Sequence, residues 1–171
     1  MAAPRFFVSL PLTPAHVGAE VDLPDDTAHY AVRVRRLAVG DALTLFTGDG
    51  GEFAGMLVHA GKRDARVRID AFTDGVPEPA RDVTLVQAIT ATDTMDIIVR
   101  HAVELGARAL QPVVSARSAR FPDGAHGDKR LQHWRAVTVA GCEQCGRNRV
   151  PRVDAPLSFA RRTNQNSETV C

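Results

Sequence analysis

The feature that most limits how this chain can fold is a change of hydrophobic period at residues 74–81 (DGVPEPAR). Before it, apolar residues alternate over short runs, the period of a half-buried strand. After it, strand-length apolar runs take turns with stripes at spacings of three and four, the period of an amphipathic helix. The break carries two prolines, one glycine and two acidic residues. Proline has a fixed φ and no backbone N–H, so such a stretch neither extends a ladder nor continues a helix. Two periods on either side of a breaker predict two small domains, for which 171 residues suffice. They are set at residues 1–75 and 82–160, joined by a linker at 76–81 and followed by a polar tail at 161–171 (RRTNQNSETVC).

The first domain reads as β. Residues 41–46 (DALTLF) and 52–59 (EFAGMLVH) flank the turn Thr47-Gly48-Asp49-Gly50-Gly51. Glycine tolerates the positive φ of tight hairpins, so this is a hairpin signal. A phosphate loop is the competing reading of the three glycines. It is set aside because no Gly-Lys-Ser/Thr and no helix follow. A second turn at 60–64 (AGKRD) leads into 65–72 (ARVRIDAF), with Val67 and Ile69 on one face, while 28–37 (AHYAVRVRRL) is more helical than extended. Short strands and tight turns predict a small β-barrel.

The second domain reads as α/β. Residues 83–89 (VTLVQAI) suit a buried strand. Asp93 is expected to cap the next helix, with Asp96 in its first turn. Met95, Ile98, Val99, Ala102 and Leu105 form its stripe, and Gly106 its stop. Residues 109–115 (ALQPVVS) are a second strand, with Pro112 marking an end or an irregularity. Residues 129–145 are a second helix, with Leu131, Trp134, Thr138, Gly141 and Cys145 as its stripe. The order strand, helix, strand, helix predicts a parallel sheet. Two strands would leave that sheet incomplete and its apolar surface exposed.

Composition enters through charge and sulfur. The net charge is +1, and residues 1–75 hold 8 Lys/Arg against 10 Asp/Glu, while 76–155 hold 11 against 9. Neither half is strongly basic, so any nucleic-acid contact must fall to local arginine clusters. Arg33, Arg35 and Arg36 form one such cluster, and Arg117 and Arg120 follow a strand end, where open α/β sheets place their crevices. Glu143, Gln144, Arg147, Asn148 and Arg149 are the densest polar group; Arg forks suit phosphate, and Gln and Asn can read base edges. A solvated helix end is the alternative for that group. Cys142 and Cys145 form a lone C-x-x-C near a helix end, without a second pair; packing is preferred to a zinc or redox site. Three cysteines and the poor signal peptide MAAPRFFVSLPL predict a cytoplasmic chain without a disulfide framework.

As a string, CEQCGRNRVP (142–151), preceded by LQHWRAVTVAG, resembles the signature of the bacterial ribosomal small-subunit RNA (uracil-N3)-methyltransferases. DTMDIIVRHAVELGARALQPVVSARS, HYAVRVRRLAVGDALTLFTGDGGEF and the opening PRFFV resemble other segments of that family, in the same order. The resemblance implies a PUA-like RNA-binding barrel followed by a SPOUT-type α/β domain with a C-terminal knot. It implies S-adenosylmethionine as methyl donor, uridine N3 of small-subunit ribosomal RNA as acceptor, the RNA or the assembled small subunit as partner, and a homodimer. It makes the arginines above candidate RNA contacts, and Glu143, Gln144, Arg147, Asn148 and Arg149 candidates for the active-site rim. No catalytic, cofactor-binding or metal residue is assigned.

The sequence departs from the family at several points. It holds no Gly-Pro-Glu-Gly-Gly string, and it diverges near Ala160. Ala91 and Thr94 stand where basic residues are usual, and His101 where Lys is common. The expectation is a chain whose cofactor-binding segment is absent and which is inactive alone. The alternatives are a non-catalytic RNA-binding module and a small zinc protein using Cys142 and Cys145.

Overall fold

The computed structural model of the chain describes residues 3–159. The expectations about Ala160 and the tail lie outside those residues. The chain divides into two compact units. The first runs to Glu78 and also takes in Glu143–Arg149; the second holds Pro79–Cys142 and the chain from Val150.

The first unit is a five-stranded sheet in the order β1-β3-β4-β5-β2. Its strands are β1 (Arg5–Phe7), β2 (Glu20–Asp22), β3 (Ala42–Phe46), β4 (Glu52–Ala60) and β5 (Ala65–Thr73). Strands β3 and β4 form the expected hairpin, with Leu45 opposite Phe53. Gly48, Gly50 and Gly51 take φ of 91°, 110° and 75°, which is why that turn needs glycine. In β5, Val67 and Ile69 are fully buried while Arg66 and Arg68 face outward, the alternation read from the sequence. Register shifts in the β4–β5 ladder at Ala54/Gly55 and Leu57/His59 bend the pair. The core joins Phe6, Val8, Leu43, Leu45, Phe53 and Leu57 to Ala28 and Ala31. Each such large apolar side chain contributes roughly 1.5–3 kcal/mol by leaving water. Ala28 and Ala31 come from α1 (Asp25–His29) and the π-helical turn Tyr30–Val34 that continues it. The expected helix is present with a widened second half. Strands β1 and β2, three residues each, lie below the length at which alternation can be recognised.

The second unit is a parallel sheet in the order β6-β7-β8, with β9 also on β7. Its strands are β6 (Thr84–Ala88), β7 (Ala109–Val114), β8 (Arg152–Val153) and β9 (Leu157–Ser158), and its helices α2 (Thr92–Glu104) and α3 (Gly124–Cys145). Four strands replace the expected two, because two-residue strands leave no periodic signal. Among the described residues β6 is an edge of the sheet; in the expected run 83–89, Val83 and Val86 are exposed and only Ile89 is fully covered. Pro112 lies inside β7, not at its end. It falls between Leu110, which pairs with β8, and Val113, which pairs with β9, so its missing N–H interrupts neither pairing.

Helix α2 starts one residue before Asp93. Ala91 is its cap without a side-chain bond, Asp93 is in the first turn, and Asp96 lies beyond it. Asp96 instead meets His133 of α3 at 2.7 Å. Met95, Val99 and Ala102 are buried as expected, but Leu105 is 85% exposed at the C-cap and Val103 is buried instead. Gly106, at φ 87°, ends the helix. Helix α3 begins five residues before the expected start; Trp134, Thr138 and Gly141 line its buried face, with Cys142 there in place of the exposed Cys145. Trp134 is fully buried, 5.7 Å from the Phe121 ring and 5.3 Å beneath the Arg130 guanidinium. Arg135 donates to the Val153 carbonyl at 3.3 and 3.2 Å, tying α3 to β8. No helix among the described residues is long and apolar enough to cross a membrane.

Candidate functional site

The CEQCGRNRVP string runs off the end of α3, and its part from Glu143 to Arg149 belongs to the first unit. Gly146, at φ 87°, stops the helix and turns the chain. Glu143, still helical, accepts the Phe7 backbone N–H at 3.0 Å. Burial pushes its carboxyl above the ordinary range, against the Phe7 hydrogen bond and the nearby Arg35 and Arg5, which pull the other way. Gln144 is exposed.

Past the turn, three residues meet the rest of the first unit. Arg147 makes a two-point pair with Glu78, at 3.3 and 2.5 Å. Asn148 is buried, and its Oδ1 accepts from Arg5 Nη2. Arg5 also pairs with Glu52 at 2.5 Å and stacks on Phe46 at 5.2 Å. Arg149 bridges the backbone at Gly48 and Asp49, and its guanidinium lies beside Gly50. The Gly50 N–H donates to the Asn148 carbonyl at 3.2 Å. The glycine hairpin therefore receives the signature segment.

A cleft of about 440 Å³ opens there, bounded by Gly50, Gly51, Phe72, Glu78, Asn148 and Arg149. Gly75, between the lining residues Asp74 and Val76, has φ 74°; a Cβ there would overlap the Asn148 amide. The site brings four predicted residues together: Glu143, Arg147, Asn148 and Arg149. Arg147 and Asn148 are engaged by the unit itself, so they hold the segment in place. Charge-assisted pairs of this kind are short and directional, which suits a positioning role.

Sequence reading missed Arg5, Glu52, Glu78 and Gly75. The available signal for Arg5 was a lone arginine heading the apolar run RFFVSL. A charge in that position needs a partner if the strand is buried.

The other candidates lie on other elements, with Arg35 near Glu143. Arg33, Arg35 and Arg36 are exposed on and after the π-helical turn. Arg117 and Arg120 lie in the loop after β7, the placement expected of them. There Ser118 Oγ accepts from the Ser115 N–H at 3.0 Å. A cleft of about 280 Å³ in the same unit is lined by Phe121, Asp123, Asp128 and Leu131. Among the described residues, no group of three or more His, Cys, Asp or Glu could hold a metal ion.

Comparison with known proteins agrees across both units. Residues 77–171 match the family model of the RNA methyltransferase domain, and residues 23–70 that of the RNA methyltransferase PUA domain. The chain is 35% identical over 159 residues to ribosomal RNA small subunit methyltransferase E of Mycobacterium bovis, covering 92% of this chain and 59% of that protein. The chain thus spans little more than half the length of such relatives. Among solved structures it resembles ribosomal RNA small subunit methyltransferase E of Neisseria gonorrhoeae bound to S-adenosyl methionine. That likeness has a TM-score of 0.85 and 33% identity, over 94% of this chain and 64% of that one. A Legionella pneumophila structure described as a putative methyltransferase in complex with the cofactor SAM superimposes with a TM-score of 0.89 at 25% identity, over 96% of this chain and 67% of that one. With a PUA-like sheet in its first unit and a SPOUT-type parallel sheet in its second, this chain belongs to the RNA methyltransferase family.

Proposed function

We propose that the chain serves methylation of uridine N3 in small-subunit ribosomal RNA, with S-adenosylmethionine as donor, in the cytoplasm and as a homodimer. The observation that carries this reading is the RNA methyltransferase match over residues 77–171, joined to a PUA match over 23–70. N3 lies on the Watson–Crick edge and carries a proton in neutral uracil. The base must be unpaired and splayed out, and that proton must leave before or during methyl transfer. For recognition of the RNA, the described residues supply exposed arginines that suit phosphates and a rigid sheet that holds them.

The described residues alone do not complete a cofactor site in this reading. The loop that follows β6 (89–91) holds no glycine, and the one that follows β7 (115–123) meets its first at Gly124, where α3 begins. The nearby cleft is lined by the carboxylates Asp123 and Asp128 with Gly124 and Gly127, and by no Lys or Arg side chain. Residues 3–159 by themselves are therefore proposed to be inactive. Calorimetric titration with S-adenosylmethionine is expected to show no binding. Tight stoichiometric binding would overturn the inactivity. Fusion to the carboxy-terminal segment of the Neisseria relative should confer N3-methyluridine formation on small-subunit RNA, read by mass spectrometry. A product methylated elsewhere would overturn the N3 assignment.

The second reading is a non-catalytic RNA-binding module, favoured by the PUA match lying wholly within the first unit. Salt-dependent RNA binding by the chain, with no methyl transfer from the fusion, would select it.

A further inference from the structure

The turn that follows α1 combines three features. It is π-helical over Tyr30–Val34, with the Arg35 N–H donating to the Tyr30 carbonyl at 2.9 Å. It ends on Arg36 at φ 58°, the one non-glycine residue with positive φ among the described residues. The Leu37 N–H donates to the Ala31 carbonyl at 3.0 Å, closing the helix end around Arg36 in the place where glycine is usual. Both devices cost free energy, and both kinds of irregularity collect at functional sites.

The side chains give that cost a purpose. Arg66, Arg68 and Arg147 each pair with a carboxylate of the first unit, whereas the guanidinium groups of Arg33, Arg35 and Arg36 make no ion pair or hydrogen bond among the described residues. Arg35 lies close enough to Glu143 to favour its charged form. Tyr30, the chain's one tyrosine, is 39% exposed and packs edge-on against Phe6, at 6.0 Å and 82°. Edge-on packing against the core leaves ring surface available to solvent. Val34, four residues on, is 56% exposed and extends the apolar platform. An aromatic platform flanked by uncommitted guanidinium groups is the combination that holds single-stranded nucleic acid: bases stack on the ring and phosphates meet the cations.

We infer that this turn is a landing site for single-stranded RNA, in which Tyr30 stacks on an unpaired base and Arg33 and Arg36 take the flanking phosphates. The inference rests on the RNA methyltransferase reading and adds a residue, Tyr30, and a substrate form, unpaired strand. Duplex RNA would leave Tyr30 without a base to stack on.

The test uses the full chain and a fluorescent oligouridylate of roughly 15 nucleotides, with a duplex of equal length for comparison, followed by anisotropy. The single strand should bind more tightly than the duplex. Tyr30→Leu should weaken single-strand binding about tenfold with its salt slope unchanged, and Tyr30→Phe should stay within about twofold. Arg36→Gly should reduce the salt slope by about 0.7 without loss of folding, since glycine is at ease in that conformation. Circular dichroism melts verify that each variant is folded. If Tyr30→Leu unfolds the chain, the Arg36→Gly slope and the strand preference decide. Undiminished binding by folded Tyr30→Leu, an unchanged slope in Arg36→Gly, or equal binding of duplex overturns the site while leaving the RNA enzyme reading intact. Absence of any salt-dependent RNA binding by the unaltered chain overturns both.

Discussion

Gly75 shows how one residue can govern the candidate site. Its φ of 74° and its contact with the Asn148 amide leave no room for a methyl group. Gly75→Ala is expected to destabilise the first unit by about 2 kcal/mol or more, read by urea unfolding, because strain and overlap add. Glu143 offers a pH signature. Its carboxyl is raised by burial, so the folded state holds its proton at pH values where the unfolded chain has lost it. Stability should therefore fall as pH rises through the range just above 4.5, the ordinary carboxyl value. Glu143→Gln keeps an acceptor for the Phe7 N–H and removes the buried charge, so the variant should lose this slope and be no less stable at neutral pH. A slope that survives in Glu143→Gln would reassign it to another group.

At the scale of elements, Arg36 is the exception to a consistent pattern. Helix ends at Gly106 and Gly146 use glycine with φ of 87° in each case, while the end after the π-helical turn uses arginine. Arg36→Gly should raise stability by about 0.5–1 kcal/mol in thermal unfolding. Elements were legible in proportion to their length. Helices α2 and α3 and strands β3, β4 and β5 are long enough for their periods to repeat. Strands β1, β2, β8 and β9 have two or three residues each, and exist because longer neighbours present a ladder to them. The displaced starts of α2 and α3 share one cause. An apolar stripe marks only the part of a helix that is buried, and both helices begin outside theirs.

At the scale of the molecule, the first unit is discontinuous in sequence: Glu143–Arg149 returns to a sheet built from residues before Glu78. The Arg147–Glu78 pair spans 69 positions and is largely buried. Arg147→Ala would strand the Glu78 carboxylate, and the loss of one partner of a buried pair costs about 3 kcal/mol. The loss should appear as faster amide exchange in β3, β4 and β5, with β7 little affected. Equal loosening of β7 would show that the segment supports the second unit as well.

Local pattern by itself determined the two periods, the breaker at 74–81, the glycine hairpin, the α/β order of the second half and the family resemblance of CEQCGRNRVP. Each of these depends on spacing or identity within a few tens of residues, which is the range over which side-chain period and turn chemistry act. Tertiary structure alone decided where that signature goes. It showed that Arg147 pairs with Glu78 and the Asn148 Oδ1 accepts from Arg5, that β6 is an edge among the described residues, and that Tyr30 and Arg33 share an irregular, exposed turn. Those outcomes depend on partners distant in sequence, and an arginine carries no local mark of whether a carboxylate awaits it.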